Sequence, residues 1–130
     1  MRKIISLFLF FMLFNFSIGE PSHKDKCSIL NILGVLHLYC GQIGEVIKDR
    51  KEGYENCVFA PDVAAEYTKE KLGNKKAYNE IIDTLFKNEK MRLSCVRSCR
   101  YGYELQMEEI KKEIREALSQ ENCKINKIFR

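Results

Sequence analysis

The sequence predicts an all-α, disulfide-stapled bundle of about four helices, ending in a long amphipathic helix. Apolar residues recur every three or four positions through most of the chain, and no run shows the two-residue alternation of a half-buried strand. Six cysteines follow a leader with the marks of export.

The leader is MRKIISLFLFFMLFNFSIG. Arg2 and Lys3 give a basic start, residues 4–14 are apolar apart from Ser6, and Ser17 and Gly19 place small residues at −3 and −1. This order predicts a signal peptide over residues 1–19, cleaved before Glu20. A membrane anchor needs about 20 apolar residues, and Asn15 and Ser17 interrupt this run. The expected product is secreted and extracellular, a single domain over residues 20–130 with no membrane span after cleavage. That domain keeps 20 of the 22 Lys and Arg against 18 Asp and Glu, a net charge of +2. Such a balance is too small to argue for nucleic acid.

The first helix is expected over residues 27–50, with apolar positions 29, 32, 33, 36, 40, 43 and 47 on one face. Further apolar residues at 30, 35, 38, 39 and 46 predict that neighbours wrap most of it. Gly34 and Gly41, seven apart, predict close helix approach there or a break near Gly41 and Gly44. Residues 51–60 read as a loop. Pro61 and Asp62 begin a short helix that ends at Gly73, with a narrow stripe of Val63, Ala64 and Tyr67. A third helix from Lys75 carries Ala77, Ile81, Ile82, Leu85 and Phe86, and the polar run at 87–90 is expected to be a hinge or its end. Val96, Cys99, Tyr103, Met107, Ile110, Ile114 and Leu118 then keep helical spacing without interruption, which predicts one long helix.

Cys27, Cys40, Cys57, Cys95, Cys99 and Cys123 predict three disulfides, because an oxidising compartment forms and keeps them. Zinc at Cys95 and Cys99 would need about four ligands, and the other cysteines are far away in sequence; no metal and no cofactor are expected. On a helix the Cβ atoms of Cys95 and Cys99 stand about 5–6 Å apart, whereas a disulfide wants roughly 3.5–4.5 Å. Each must therefore reach a different segment. If the first and last helices run antiparallel, geometry favours a nested set: Cys27 with Cys123, Cys40 with Cys99, Cys57 with Cys95. The two helices then differ in length between their cysteines, and unwinding near residues 120–122 or a kink at Gly102 has to absorb the difference. The nested set resembles that of saposin-like proteins, but the cysteine spacings differ, and no family is assigned from the sequence.

No GxSxG, HExxH, P-loop or paired-carboxylate motif is present. His37, one turn before Cys40, is expected to be a packed core histidine. The only N-x-S/T triplet lies in the leader, at Asn15. The sequence therefore predicts a non-enzymatic protein that binds an extracellular protein or sulfated glycan. Its contact is expected at Lys90, Arg97 and Arg100 beside Tyr101 and Tyr103, where cations border an apolar stripe. A carrier of a small apolar ligand, which requires an internal cavity, and a membrane-active protein using the last helix are the alternatives.

Overall fold

The structure, a computed structural model, describes residues 23–130; the expected signal peptide and its cleavage site lie outside them. Among the described residues are five α-helices, two short 3-10 turns and no strand: α1 His23–Asp49, a turn Tyr54–Phe59, α2 Ala60–Lys71, α3 Lys76–Phe86, α4 Glu89–Tyr103, α5 Met107–Gln120 and a turn Lys127–Phe129.

α1 is the axis of the bundle. It packs against α2, α4 and α5, and Leu33, Leu36, His37 and Cys40 on it are almost fully buried. Its length and apolar composition would suffice to cross a bilayer, but that apolar surface is turned into the bundle. The glycines do not break it. A Cβ on Gly34 would stand 2.7 Å from Phe129 Cζ, and one on Gly41 would stand 2.6 Å from Ile110 Cδ1. Close approach is therefore the role of this pair.

α2 starts at Ala60 with Pro61 in its first turn, where a missing N–H costs nothing. It stops before Gly73, whose φ of +80° turns the chain at little steric cost. The expected stripe is only partly right. Ala60, Ala64, Ala65 and Thr68 face the core, while Val63 and Tyr67 are 44% and 57% exposed. Small residues on the inner face let α2 lie close to α1, and the larger ones are turned outward. α3 ends at Phe86, and Asn88 caps α4 by accepting a hydrogen bond from the Met91 N–H at 3.2 Å.

The long last helix is two helices. α4 stops at Tyr103, and Leu105 takes the left-handed conformation, φ +61°. The Leu105 N–H bonds the Gly102 carbonyl at 2.9 Å, and the Gln106 N–H bonds the Tyr101 carbonyl at 2.8 Å. The turn thus closes α4 as a helix C-terminus should. Contacts between α1 and α4 rise together along both chains: His37 with Ser94, Cys40 with Cys95, Lys48 with Tyr103. Those between α1 and α5 run in opposition: Gly41 beside Met107 and Ile110, Gly34 beside Ile114, Cys27 with Cys123. α4 is parallel to α1, and α5 is antiparallel.

That reversal corrects the nested pairing. The disulfides are Cys27–Cys123, Cys40–Cys95 and Cys57–Cys99, with Cα atoms 5.5 to 5.6 Å apart, and no described cysteine is free. The outer bridge matches the expectation, because it joins antiparallel segments. The inner two exchange partners, because on a parallel α4 the earlier cysteine meets the earlier target. Cys95 and Cys99 do reach different segments, as their helical spacing requires.

Candidate functional site: a cation and aromatic cluster at the end of the bundle

Cys57–Cys99 ties the turn Tyr54–Phe59 to α4. Cys57 itself is fully buried, but the turn leaves Tyr54, Val58 and Phe59 exposed by 53%, 58% and 64%. A short segment held covalently at its centre can expose large apolar groups without unravelling to bury them. Phe59, Val63 and Tyr67 continue at four-residue spacing into α2, and the Tyr67 ring stacks on Tyr39 at 5.9 Å.

Beside the turn, cations and rings alternate. The Arg100 guanidinium lies over the Tyr54 ring at 5.3 Å, Tyr54 meets Tyr103 edge to face at 6.2 Å, and Lys48 Nζ lies 4.9 Å from the Tyr103 ring centre. The Tyr103 hydroxyl donates to the Glu52 carbonyl at 3.1 Å, which fixes the ring. Exposed cation–ring contacts contribute about 0.5–1 kcal/mol each. Their larger consequence is to hold flexible side chains in one arrangement.

The sequence-predicted residues do not form one patch. Arg100 and Tyr103 join this cluster. Arg97 and Tyr101 lie on the side of α4 toward α5, with Arg97 Nη2 3.6 Å from Oε2 of the buried Glu113 and its guanidinium 5.9 Å from the Tyr101 ring. Lys90 is exposed in the first turn of α4, more than three helical turns from Tyr103. Sequence reading missed Lys48, Tyr54, Val58 and Phe59, all in or next to a segment read as a plain loop. The available signal was three large apolar residues flanking a cysteine within KEGYENCVFA.

His37 carries no open chemistry. It is 2% exposed, its Nδ1–H donates to the Leu33 carbonyl at 2.8 Å, and the Ser94 hydroxyl donates to Nε2 at 2.9 Å. A carbonyl can only accept, which sets the tautomer. Burial pushes the imidazole down to about 4, the bond to Leu33 works the other way, and the Arg97 charge lowers it further. The ring is a neutral joint between α1 and α4. His23, Cys27 and Cys123 bring a nitrogen and two sulfurs within 4.8 Å of one another, but the sulfurs are bonded to each other. His23 Nε2 instead lies 3.0 Å from the Glu121 carbonyl.

No family model, curated protein or solved structure matches the chain.

Proposed function

We propose that this is a secreted, non-enzymatic binding protein whose partner is an extracellular protein, gripped at the Tyr54–Phe59 turn and the adjoining Arg100, Tyr103 and Lys48. The observation that carries the reading is the exposure of Tyr54, Val58 and Phe59 on a turn fixed by a buried disulfide. Tyr, Phe and Arg are enriched at protein interfaces, and binding energy concentrates in a few rigid, aromatic anchors. Preorganisation by the disulfide reduces the entropy lost on docking. A protein fits better than a sulfated glycan, because the turn offers apolar area as well as cations. Secretion is supported by the leader and by three disulfides of a kind that oxidising compartments maintain.

The rival readings have less behind them. Among the described residues, the void between α1 and α5 at Leu30, Leu33, Gly34, Ile114, Ala117 and Leu118 is about 10 Å³, about the least space that holds a single water, and the larger grooves along α1 lie open at the surface. The void cannot enclose a carrier's ligand. The apolar face of α5, Ile110, Ile114 and Leu118, is buried in the bundle and is not presented to a membrane.

The test is affinity capture of extracellular proteins on the oxidised mature protein, followed by kinetics with the captured partner at two ionic strengths. Tyr54→Ser with Phe59→Ser is expected to weaken binding at least a hundredfold, mostly through faster dissociation. Arg100→Glu with Lys48→Glu is expected to slow association and reduce its salt dependence. Arg97→Glu is a poor probe, since it sets a second carboxylate against buried Glu113. Unchanged kinetics in both folded double mutants would refute the reading, and capture by heparin alone would replace the protein partner with a glycan.

A further inference from the structure

The opposite end of α1 carries a second surface of different chemistry. α4 covers one flank of α1 through His37, Cys40 and Gly44, α5 another through Gly34 and Gly41, and α2 packs on a third. One face stays open, through Lys24, Ser28, Asn31 and Val35 to Gln42, about 27 Å of helix. Over its first half lies a groove of about 830 Å³, within the range of small-molecule sites. Ile32, Val35, Leu72, Tyr78 and Ile125 give it apolar walls. His23, Lys24, Lys124 and Lys127 line it at the end where Cys27–Cys123 joins the first turns of α1 to the segment after α5, and no Asp or Glu is among its described lining residues. Lys75, 5.7 Å from the Tyr78 ring, adds another cation at the wall. Beyond Val35 a second groove of about 340 Å³ continues along α1, with Leu38, Tyr39, Met107 and Ile128 as its apolar lining and Gln42, Glu45 and Lys111 as its polar one.

We propose that this groove binds a single-chain amphiphile with an anionic headgroup, the headgroup among Lys24, Lys124 and Lys127 and the chain running along α1 past Val35.

Two features select this ligand. The first groove sets Lys24, Lys124 and Lys127 beside apolar walls at Ile32, Val35 and Leu72, with no carboxylate among its described lining residues, so it offers positive charge and apolar surface together, as such a molecule requires. An acidic peptide would carry the same charge, but its backbone would need hydrogen-bond partners in the groove. Among the described residues there is no strand edge to pair with a peptide backbone, and two of the groove's amides are partly engaged: the Asn31 amide donates to the Cys27 carbonyl at 2.8 Å, and Asn126 Oδ1 accepts from the Ile128 N–H at 3.2 Å. An acyl chain asks for no such partners. The groove is open along its length, so this is a site for one chain lying in the surface and not an enclosed carrier pocket. It is also independent of the Tyr54–Phe59 turn.

Calorimetric titration of the oxidised mature protein with oleate, lysophosphatidate and neutral monooleoylglycerol, each below its aggregation concentration, tests the proposal. One-to-one saturable binding of at least one anion is expected, at least tenfold tighter than the neutral lipid. Whichever anion binds more tightly identifies a carboxylate or a phosphate head. Lys124→Glu with Lys127→Glu, both exposed, is expected to remove that difference, and Val35→Glu to weaken all three lipids. Arg100→Glu is expected to leave lipid binding unchanged, which separates this site from the protein-binding face. Absence of saturable binding, equal affinity for the neutral lipid, or an unaltered preference in the double mutant would overturn it. So would displacement of a bound anion by an alternating Glu-Leu peptide at lower concentration than by oleate.

Discussion

α4 and α5 are both crosslinked to the same central helix, and they are held to it in different ways. α4 lies so close that backbone meets backbone: a Cβ on Gly44 would overlap the Cys99 carbonyl oxygen, and one on Gly102 would overlap the Gly41 carbonyl oxygen. The Cys40–Cys95 disulfide and the His37–Ser94 hydrogen bond fix its register on α1, and Cys57–Cys99 ties it to the turn Tyr54–Phe59. α5 stands off on large side chains, Ile110, Ile114 and Leu118, with Phe129 packed beside Ile114 on Gly34, and one disulfide beyond its end closes it. Parallel and antiparallel neighbours of one helix thus use different means: covalent and steric for α4, hydrophobic for α5. The face built on α4 is accordingly rigid enough to leave Tyr54 and Phe59 exposed.

The largest effects should come from the crosslinks. In the chain-entropy model each bridge contributes about 4–5 kcal/mol, with little dependence on loop length. Sequence separations of 96, 55 and 42 residues therefore do not rank them strongly. Cys27→Ala with Cys123→Ala is expected to lower stability most, because α5 has no second bridge. Cys57→Ala with Cys99→Ala leaves Cys40–Cys95 to hold α4. Denaturant midpoints of the two double mutants measure the difference, and equal losses would remove the distinction between the helices.

Next come the glycines. Gly44→Ala forces the α4 backbone away and is expected to cost about 3 kcal/mol or more, at the upper end of overpacking effects. Gly34→Ala meets the tip of Phe129 and the γ-methyl of Ile114, which can shift; about 1–2 kcal/mol is expected. Thermal unfolding of the two variants compares backbone with side-chain contact directly.

Acid should act on α4 through His37. Its folded-state value, about 4, lies below the ordinary 6.5, so on acidification the unfolded chain takes up the proton first. Stability from the neutral ring is complete above pH 6.5 and is lost progressively as pH falls toward 4, by about 3 kcal/mol in all. His37→Gln should remove that part of the pH dependence. Parallel stability profiles of wild type and variant between pH 4 and 7 would contradict it.

The smallest effect concerns the reversal. A leucine in the left-handed region costs about 1–2 kcal/mol, and part of this is recovered when glycine replaces it. Leu105→Gly is expected to raise stability by about 0.5–1 kcal/mol. A loss of stability would mean that the Leu105 side chain, 69% exposed, has packing that the fold does not indicate.

Much of this was legible beforehand because it rests on pattern. Helical spacing marked α1 and its neighbours on most sides, Gly73 and the polar run at 87–90 marked helix ends, and the count of cysteines with the spacing of Cys95 and Cys99 implied bridges to separate segments. The reversal was not legible, since no Gly, Pro or Asn stands at 105 and the apolar spacing runs through Tyr103 and Met107 unbroken. A tertiary demand, α5 returning along α1, overrides the local preference of leucine. Everything that depended on that turn went with it: the inner disulfide partners and the division of Arg97 from Arg100. α2 was misread for a related reason, as periodicity gives a stripe but not which side of it can approach a neighbour most closely.

The direction of α4 is the claim on which the rest depends, and the chain is well arranged to test it. Trypsin cuts after Arg92, Arg97 and Arg100, so Cys95 leaves on the peptide 93–97 and Cys99 on 98–100. Non-reducing digestion and mass spectrometry of the oxidised protein should find 93–97 joined to the peptide 27–48 that carries Cys40, and 98–100 joined to the peptide 52–69 that carries Cys57. The reverse attachment, 93–97 to 52–69, would contradict a parallel α4 and restore a single antiparallel C-terminal helix.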